Sequence, residues 1–150
     1  MILQMSTKQE VERVRTEFPP GTRIELPSGM ADEYSPIPAG TRGTVTYVDD
    51  LLGVGANWDN GSHLNAIYNI DEIRKLTRSE LIKEQARAVT KLPNCPNMFS
   101  KNEVLEIAIA QGYREFTEFV FNHGDIYGEF ILTGELPAEI DREDFSNDEN

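Results

Sequence analysis

Apolar and polar residues alternate with a period of two through the first half of this chain, then switch near Thr77 to a helical period. Residues 22–26 place Ile24 and Leu26 between polar neighbours, and Pro27 closes the run. Val45 and Tyr47 alternate with Thr44 and Thr46; Val48 breaks the period, which predicts a β-bulge there. Val54, Ala56 and Trp58 share one side of the next strand, with Gly55 and Asn57 on the other. Asn60-Gly61 after Asp59 predicts a two-residue hairpin turn, since both residues tolerate positive φ. Residues 62–68 and 72–76 read as two further short strands. Five such strands predict a closed or nearly closed barrel of SH3-like type.

Helical patterns flank this region. Ser6 with Gln9 reads as a capping box ahead of Val11, Val14 and Phe18, and Pro19-Pro20-Gly21 ends that helix. Thr77 with Glu80 opens an amphipathic helix through Leu81, Ile82, Gln85, Ala86, Val89 and Leu92, stopped by Pro93 to Pro96. Ser100 with Glu103 reads as a third capping box, before Val104, Leu105, Ala108 and Ile109, with Gly112 as a left-handed cap. Tyr113, Phe116, Phe119 and Val120 mark another helix ending near His123-Gly124, and residues 126–133 a last one closed by Gly134. After Pro137 the chain is acidic and poor in apolar residues, so it reads as a frayed tail. The expected class is α+β: an N-terminal helix over 1–19, a small barrel over 20–76, a helical domain over 77–134 and an acidic tail over 135–150.

Charge sharpens this division. The chain of 150 residues carries a formal net charge of -12. Residues 1–78 hold eight basic and eleven acidic side chains, net -3, and residues 79–150 hold six and fifteen, net -9. No basic run exists, so generic binding to a phosphate backbone is disfavoured and a basic protein partner is favoured. The single cysteine, Cys95, excludes an internal disulfide and suits a reducing compartment. The first residues lack the basic start and apolar core of a signal peptide, and no apolar run reaches membrane-spanning length. A cytoplasmic protein without cofactor is the expectation.

Candidate chemistry is sparse. Asp49, Asp50 and Asp59 lack the spacing of a calcium loop, and turn chemistry accounts for them. Cys95, His63 and His123 supply neither a triad pattern nor metal-ligand spacing. Gly53 and Gly55 are not a phosphate loop, because no helix and no lysine follow them in place. Alternation puts Trp58 inside the barrel, which leaves Tyr34, Tyr47 and Tyr68 as candidates for an exposed aromatic groove. Glu103, Glu106, Glu115 and Glu118 on the helices form a candidate rigid acidic face for a protein partner. Glu139, Asp141, Glu143 and Asp144 form a second acidic set, on the tail.

The segments Gly40-Thr41-Arg42-Gly43-Thr44-Val45, Val48-Asp49-Asp50 and Asn57-Trp58-Asp59-Asn60-Gly61-Ser62 resemble a domain-of-unknown-function family encoded by phages, prophages and conjugative elements of Gram-positive gut bacteria. Asn97-Met98-Phe99, Gly112-Tyr113 and Phe130-Ile131-Leu132-Thr133-Gly134-Glu135 resemble a second such family, found in tandem with the first. Together the resemblances cover most of residues 10–135. The chain departs from the first pattern in its loop from Pro27 to Pro38 and in Ala56, where valine is typical. The families are uncharacterised, so the resemblance implies a mobile-element setting and assigns no site residue.

Three functions fit this reading. The first is a non-enzymatic acidic module that blocks a host defence nuclease, in the manner of anti-CRISPR proteins. The second is a sponge for a nucleotide signal, with a pocket between barrel and helices and phosphate contacts from Arg23, Arg42 and Arg74. The third is a nucleic-acid-binding accessory protein using the barrel face, which the charge disfavours. An enzyme ranks last.

Overall fold

The computed structural model describes residues 7–142. The chain divides into two compact units, one up to Leu76 and one from Thr77.

The first unit opens with α1 (Lys8–Glu17). Its cap is Thr7, whose hydroxyl accepts from the Glu10 N–H at 3.1 Å while the Glu10 carboxylate accepts from the Thr7 N–H at 3.0 Å. This shifts the capping box one residue from the Ser6 and Gln9 pair expected from sequence; Ser6 lies outside the described residues. The strands follow as β1 (Arg23–Leu26), β2 (Thr41–Val48), β3 (Gly53–Trp58), β4 (Ala66–Ile67) and β5 (Arg74–Lys75). They form one antiparallel sheet in the order β4-β3-β2-β1-β5. Val11, Val14 and Phe18 of the helical arm share a core with Ile24, Leu26, Val45, Val54, Ala56 and Trp58. Helix and sheet therefore fold around one interior.

Three local expectations change. The sheet does not close fully: β4 and β5 stand at its two edges and do not pair with each other. The bulge lies between Val45 and Tyr47, slightly earlier than the break at Val48, and it turns Val48 back to the core. The turn after β3 is a three-residue loop. Gly61 alone takes a positive φ, of 91°, and its N–H donates to the Trp58 carbonyl at 2.9 Å. The following strand is short, beginning only at Ala66. The Leu64 carbonyl is taken by the Trp58 indole N–H at 2.7 Å.

The second unit holds α2 (Arg78–Thr90), α3 (Lys101–Gln111), α4 (Arg114–Asn122) and α5 (Gly124–Thr133). The Thr77–Glu80 capping box is present. Ser100 caps α3 without a side-chain hydrogen bond, so the third expected box does not form. Gly112 and Gly134 end α3 and α5 in the left-handed region. The core joins Ile82, Ala86 and Val89 of α2 to Val104, Phe116, Phe119, Tyr127 and Phe130. Tyr127 donates its buried hydroxyl to the Met98 carbonyl at 2.6 Å, and burial pushes its pKa up to about 12.

The segment after Pro137 is not a frayed tail as far as Arg142. Residues 139–142 are helical, and Ile140 is 1% exposed in the helical core. The Asp141 carboxylate accepts from the Ser79 N–H at 2.7 Å, capping the first turn of α2. Ile140 in the core, Leu136 against it and the Asp141–Ser79 bond hold this segment in place.

Candidate interaction surfaces

Alternation along β1, β2 and β3 sends a polar row outward from the sheet. Arg23 grips Asp59 with two parallel bonds of 2.9 and 2.8 Å and also reaches the Thr44 hydroxyl at 3.2 Å. Glu25 accepts from Arg42 at 3.2 Å and pairs with Arg74 at 3.1 Å. Both arginines lie directly opposite Glu25 in the ladders. The three arginines considered for phosphate are thus all engaged by carboxylates. Asn57 completes this face with a 3.0 Å contact to His63 Nδ1.

The aspartates of the turns have separate tasks. Asp49 accepts from the Leu51 and Gly53 N–H groups at 2.9 and 2.7 Å, Asp50 pairs with Arg15 at 3.1 Å, and Asp59 holds Arg23. Among the described residues no three histidine, cysteine, aspartate or glutamate side chains group as metal ligands. Cys95 is exposed in the connection between α2 and α3, with its thiol against the Pro96 carbonyl at 3.3 Å. His123 stacks on Phe119 at 5.7 Å.

The candidate tyrosines have three different environments. Tyr34 projects from the loop before β2 and is 89% exposed. Tyr47 lies over Gly55, where its ring fills the space a Cβ would need, and donates to Asn65 at 2.9 Å. Tyr68 is partly buried, edge-on to Phe18 at 6.1 Å, and donates to Glu17 at 3.1 Å. That bond to the Glu17 carboxylate pushes its pKa above the ordinary tyrosine value. Tyr68 therefore serves packing rather than an exposed groove.

The four helical glutamates also separate. Glu118 pairs with Arg78, the buried arginine at the start of α2. Glu115 accepts from Gln85 at 2.9 Å and pairs with Arg114. Burial pushes the Glu115 carboxyl up, but the Gln85 amide, a backbone N–H and the Arg114 guanidinium together outweigh it and hold its pKa below the usual range. Glu115 and Glu118 are internal fasteners, not part of one acidic face. Glu103 and Glu106 are exposed and line a cleft of about 450 Å³ with Asn94, Pro96, Ile107, Ala110 and Gln111.

A second cleft, of about 520 Å³, runs between α5 and the segment that returns after it. Its lining repeats a dipeptide of acid then apolar residue: Asp125-Ile126, Glu129-Phe130, Glu135-Leu136 and Glu139-Ile140. The apolar members belong to the core cluster or pack against it. The carboxylate members are exposed. Among the described lining residues there is no lysine or arginine. Of the tail acids, Glu139 joins this rim, Asp141 caps α2, and Glu143 and Asp144 lie outside the described residues. The dipeptide repeat is visible in the sequence, but only the return of the chain along α5 makes it a cleft.

The chain carries two domains of unknown function in tandem. Residues 7–76 match the family DUF4314, and residues 79–135 match the family DUF5049. No curated protein and no solved structure matches the chain.

Proposed function

We propose, with this tandem of two domains of unknown function as the premise, that the chain is a non-enzymatic interaction protein whose helical unit binds a basic protein. The observation that carries the reading is the cleft beside α5, rimmed by four carboxylates and, among its described lining, free of lysine and arginine. The second acidic cleft, with Glu103 and Glu106, adds to the same field. Acidic clefts of this kind raise the rate at which a basic surface is captured.

The partner class is a nucleic-acid-dependent nuclease of a host defence system, acting in the cytoplasm of a bacterial host. Such an enzyme exposes a basic channel, and a phage or mobile element gains from occupying it. The mobile-element setting that the sequence resemblance implies supports this choice. Among the described residues no helix is long and apolar enough to cross a membrane. The nucleotide-sponge reading has less support, because Arg23, Arg42 and Arg74 already hold Asp59 and Glu25.

The test is co-purification of the intact protein with candidate RNA-guided nucleases, followed by a cleavage assay. The expected result is a complex that suppresses cleavage and weakens as salt shortens the Debye length from about 10 Å at 0.1 M to about 3 Å at 1 M. Unaltered cleavage with no complex, across the effectors tested, would reject the nuclease partner.

A further inference from the structure

We infer that the cleft beside α5 is a docking groove for a basic amphipathic helix presented by a protein partner. The inference rests on the interaction-protein reading and goes beyond it by naming the groove and the shape of what fills it. Its floor is apolar: Phe130 and Ile140 form the base, buried in the core, and the partly buried Ile126 and Leu136 supply the accessible apolar surface. Its rim is anionic: Asp125 and Glu129 are one turn apart on α5, with Glu135 and Glu139 opposite.

The volume, about 520 Å³, suits a handful of side chains rather than a whole helix about 10 Å across. A helix therefore docks by one face. Residues spaced three and four apart share a face, so a leucine stripe on the partner meets the partly buried Ile126 and Leu136. Lysines or arginines flanking that stripe reach the rim, and their aliphatic stems cover the apolar border. An extended segment alternates its side chains and brings every second one away from the groove.

Charge selects among occupants. The remaining residues of this chain, 143–150, carry four carboxylates and no base, the same sign as the rim. They are repelled by it, as is an acidic or neutral-polar helix. A basic helix gains on both counts, from the apolar floor and from the carboxylates.

The test uses the full chain and a fluorescein-labelled peptide of about five helical turns, built from leucine and lysine with leucines on one face. Binding is read by anisotropy at low and moderate salt. The unmodified protein is expected to bind. Joint replacement Asp125→Asn, Glu129→Gln, Glu135→Gln and Glu139→Gln is expected to weaken binding about tenfold at low salt and to flatten its salt dependence. A lysine–alanine helix of equal charge is expected to bind more weakly than the leucine–lysine one. This control holds even if the four-site variant folds poorly. Equal binding of the two peptides, or undiminished binding by a folded four-site variant, overturns the groove. If binding is instead lost on Glu103→Gln with Glu106→Gln, the groove fails while the interaction-protein reading stands. If the unmodified protein binds neither the peptide nor any basic partner, both fail.

Discussion

Gln85 donates its side-chain amide to the Glu115 carboxylate across the seam between α2 and α4, at 2.9 Å. The same amide accepts from the Phe116 N–H at 2.9 Å, so α2 supplies the cap that α4 lacks in its own sequence. Because the Glu115 carboxyl is held below its ordinary pKa of 4.5, its ionised form stabilises the fold. That contribution is complete above the unfolded value near 4.5 and is lost as pH falls through the lower folded value. Thermal denaturation of the native protein and of Glu115→Gln should therefore differ at neutral pH and converge in acid. Parallel pH profiles would show that the carboxylate is not coupled to folding.

Gln85→Ala removes both bonds at once. It leaves the Phe116 N–H without this acceptor inside the helical unit, which should cost about 1–3 kcal/mol. Urea denaturation measures it, and loss of less than about 0.5 kcal/mol would mean that water replaces the amide without penalty.

Asp141→Ala should destabilise the helical unit by about 1 kcal/mol, the usual worth of an N-terminal cap. Glu139→Gln, a rim residue of the groove, should leave the melting temperature unchanged. A melting temperature equally insensitive to both substitutions would mean that the Asp141–Ser79 bond adds nothing to the Thr77–Glu80 box.

Trp58→Ala should cost about 3–5 kcal/mol, since the indole is 3% exposed and its N–H holds the Leu64 carbonyl. Gly43→Ala should also destabilise the sheet, because a Cβ there would come within 2.5 Å of the Trp58 ring. Urea denaturation followed by far-UV circular dichroism measures both, since Trp58→Ala removes the chain's one tryptophan.

Tyr127→Phe should cost about 1–2 kcal/mol, because the Met98 carbonyl loses its donor. The pH dependence lies on the alkaline side. Folding favours the neutral phenol, whose pKa rises from 10.0 to about 12, so this stabilisation is full below pH 10 and disappears as pH climbs towards 12. Native protein should lose stability over that range more steeply than the phenylalanine variant.

Strand alternation and one of the three capping boxes were legible in the residues; α1 is capped by Thr7 with Glu10, and α3 has no side-chain cap bond. Ile24 and Leu26, Val54 through Trp58, Thr77 with Glu80, and the left-handed Gly112 and Gly134 all follow from local rules. What escaped depends on partners far along the chain. Leu64 gives its carbonyl to the Trp58 indole, and β4 begins only at Ala66. Glu115 and Glu118 look like members of an acidic face until Gln85, Arg114 and Arg78 are placed beside them. Asp141 looks like tail charge until Ile140 is anchored and brings it to Ser79. The acid–apolar dipeptides were readable as spacing, but a groove exists only once residues 135–140 turn back along α5.

The bond between Ser79 and Asp141 has a consequence for the order of events during synthesis. The two residues are 62 positions apart. At about 5–20 residues per second, Ser79 precedes its partner by roughly 3 to 12 seconds. Helices form and melt in about a microsecond, so α2 samples its shape many times over while that N–H still faces water. The helical unit then completes itself only when nearly all of it has been made. A ribosome that stalls after α5 and before codon 141 would hold all four helices with the Ser79 N–H still lacking the Asp141 carboxylate.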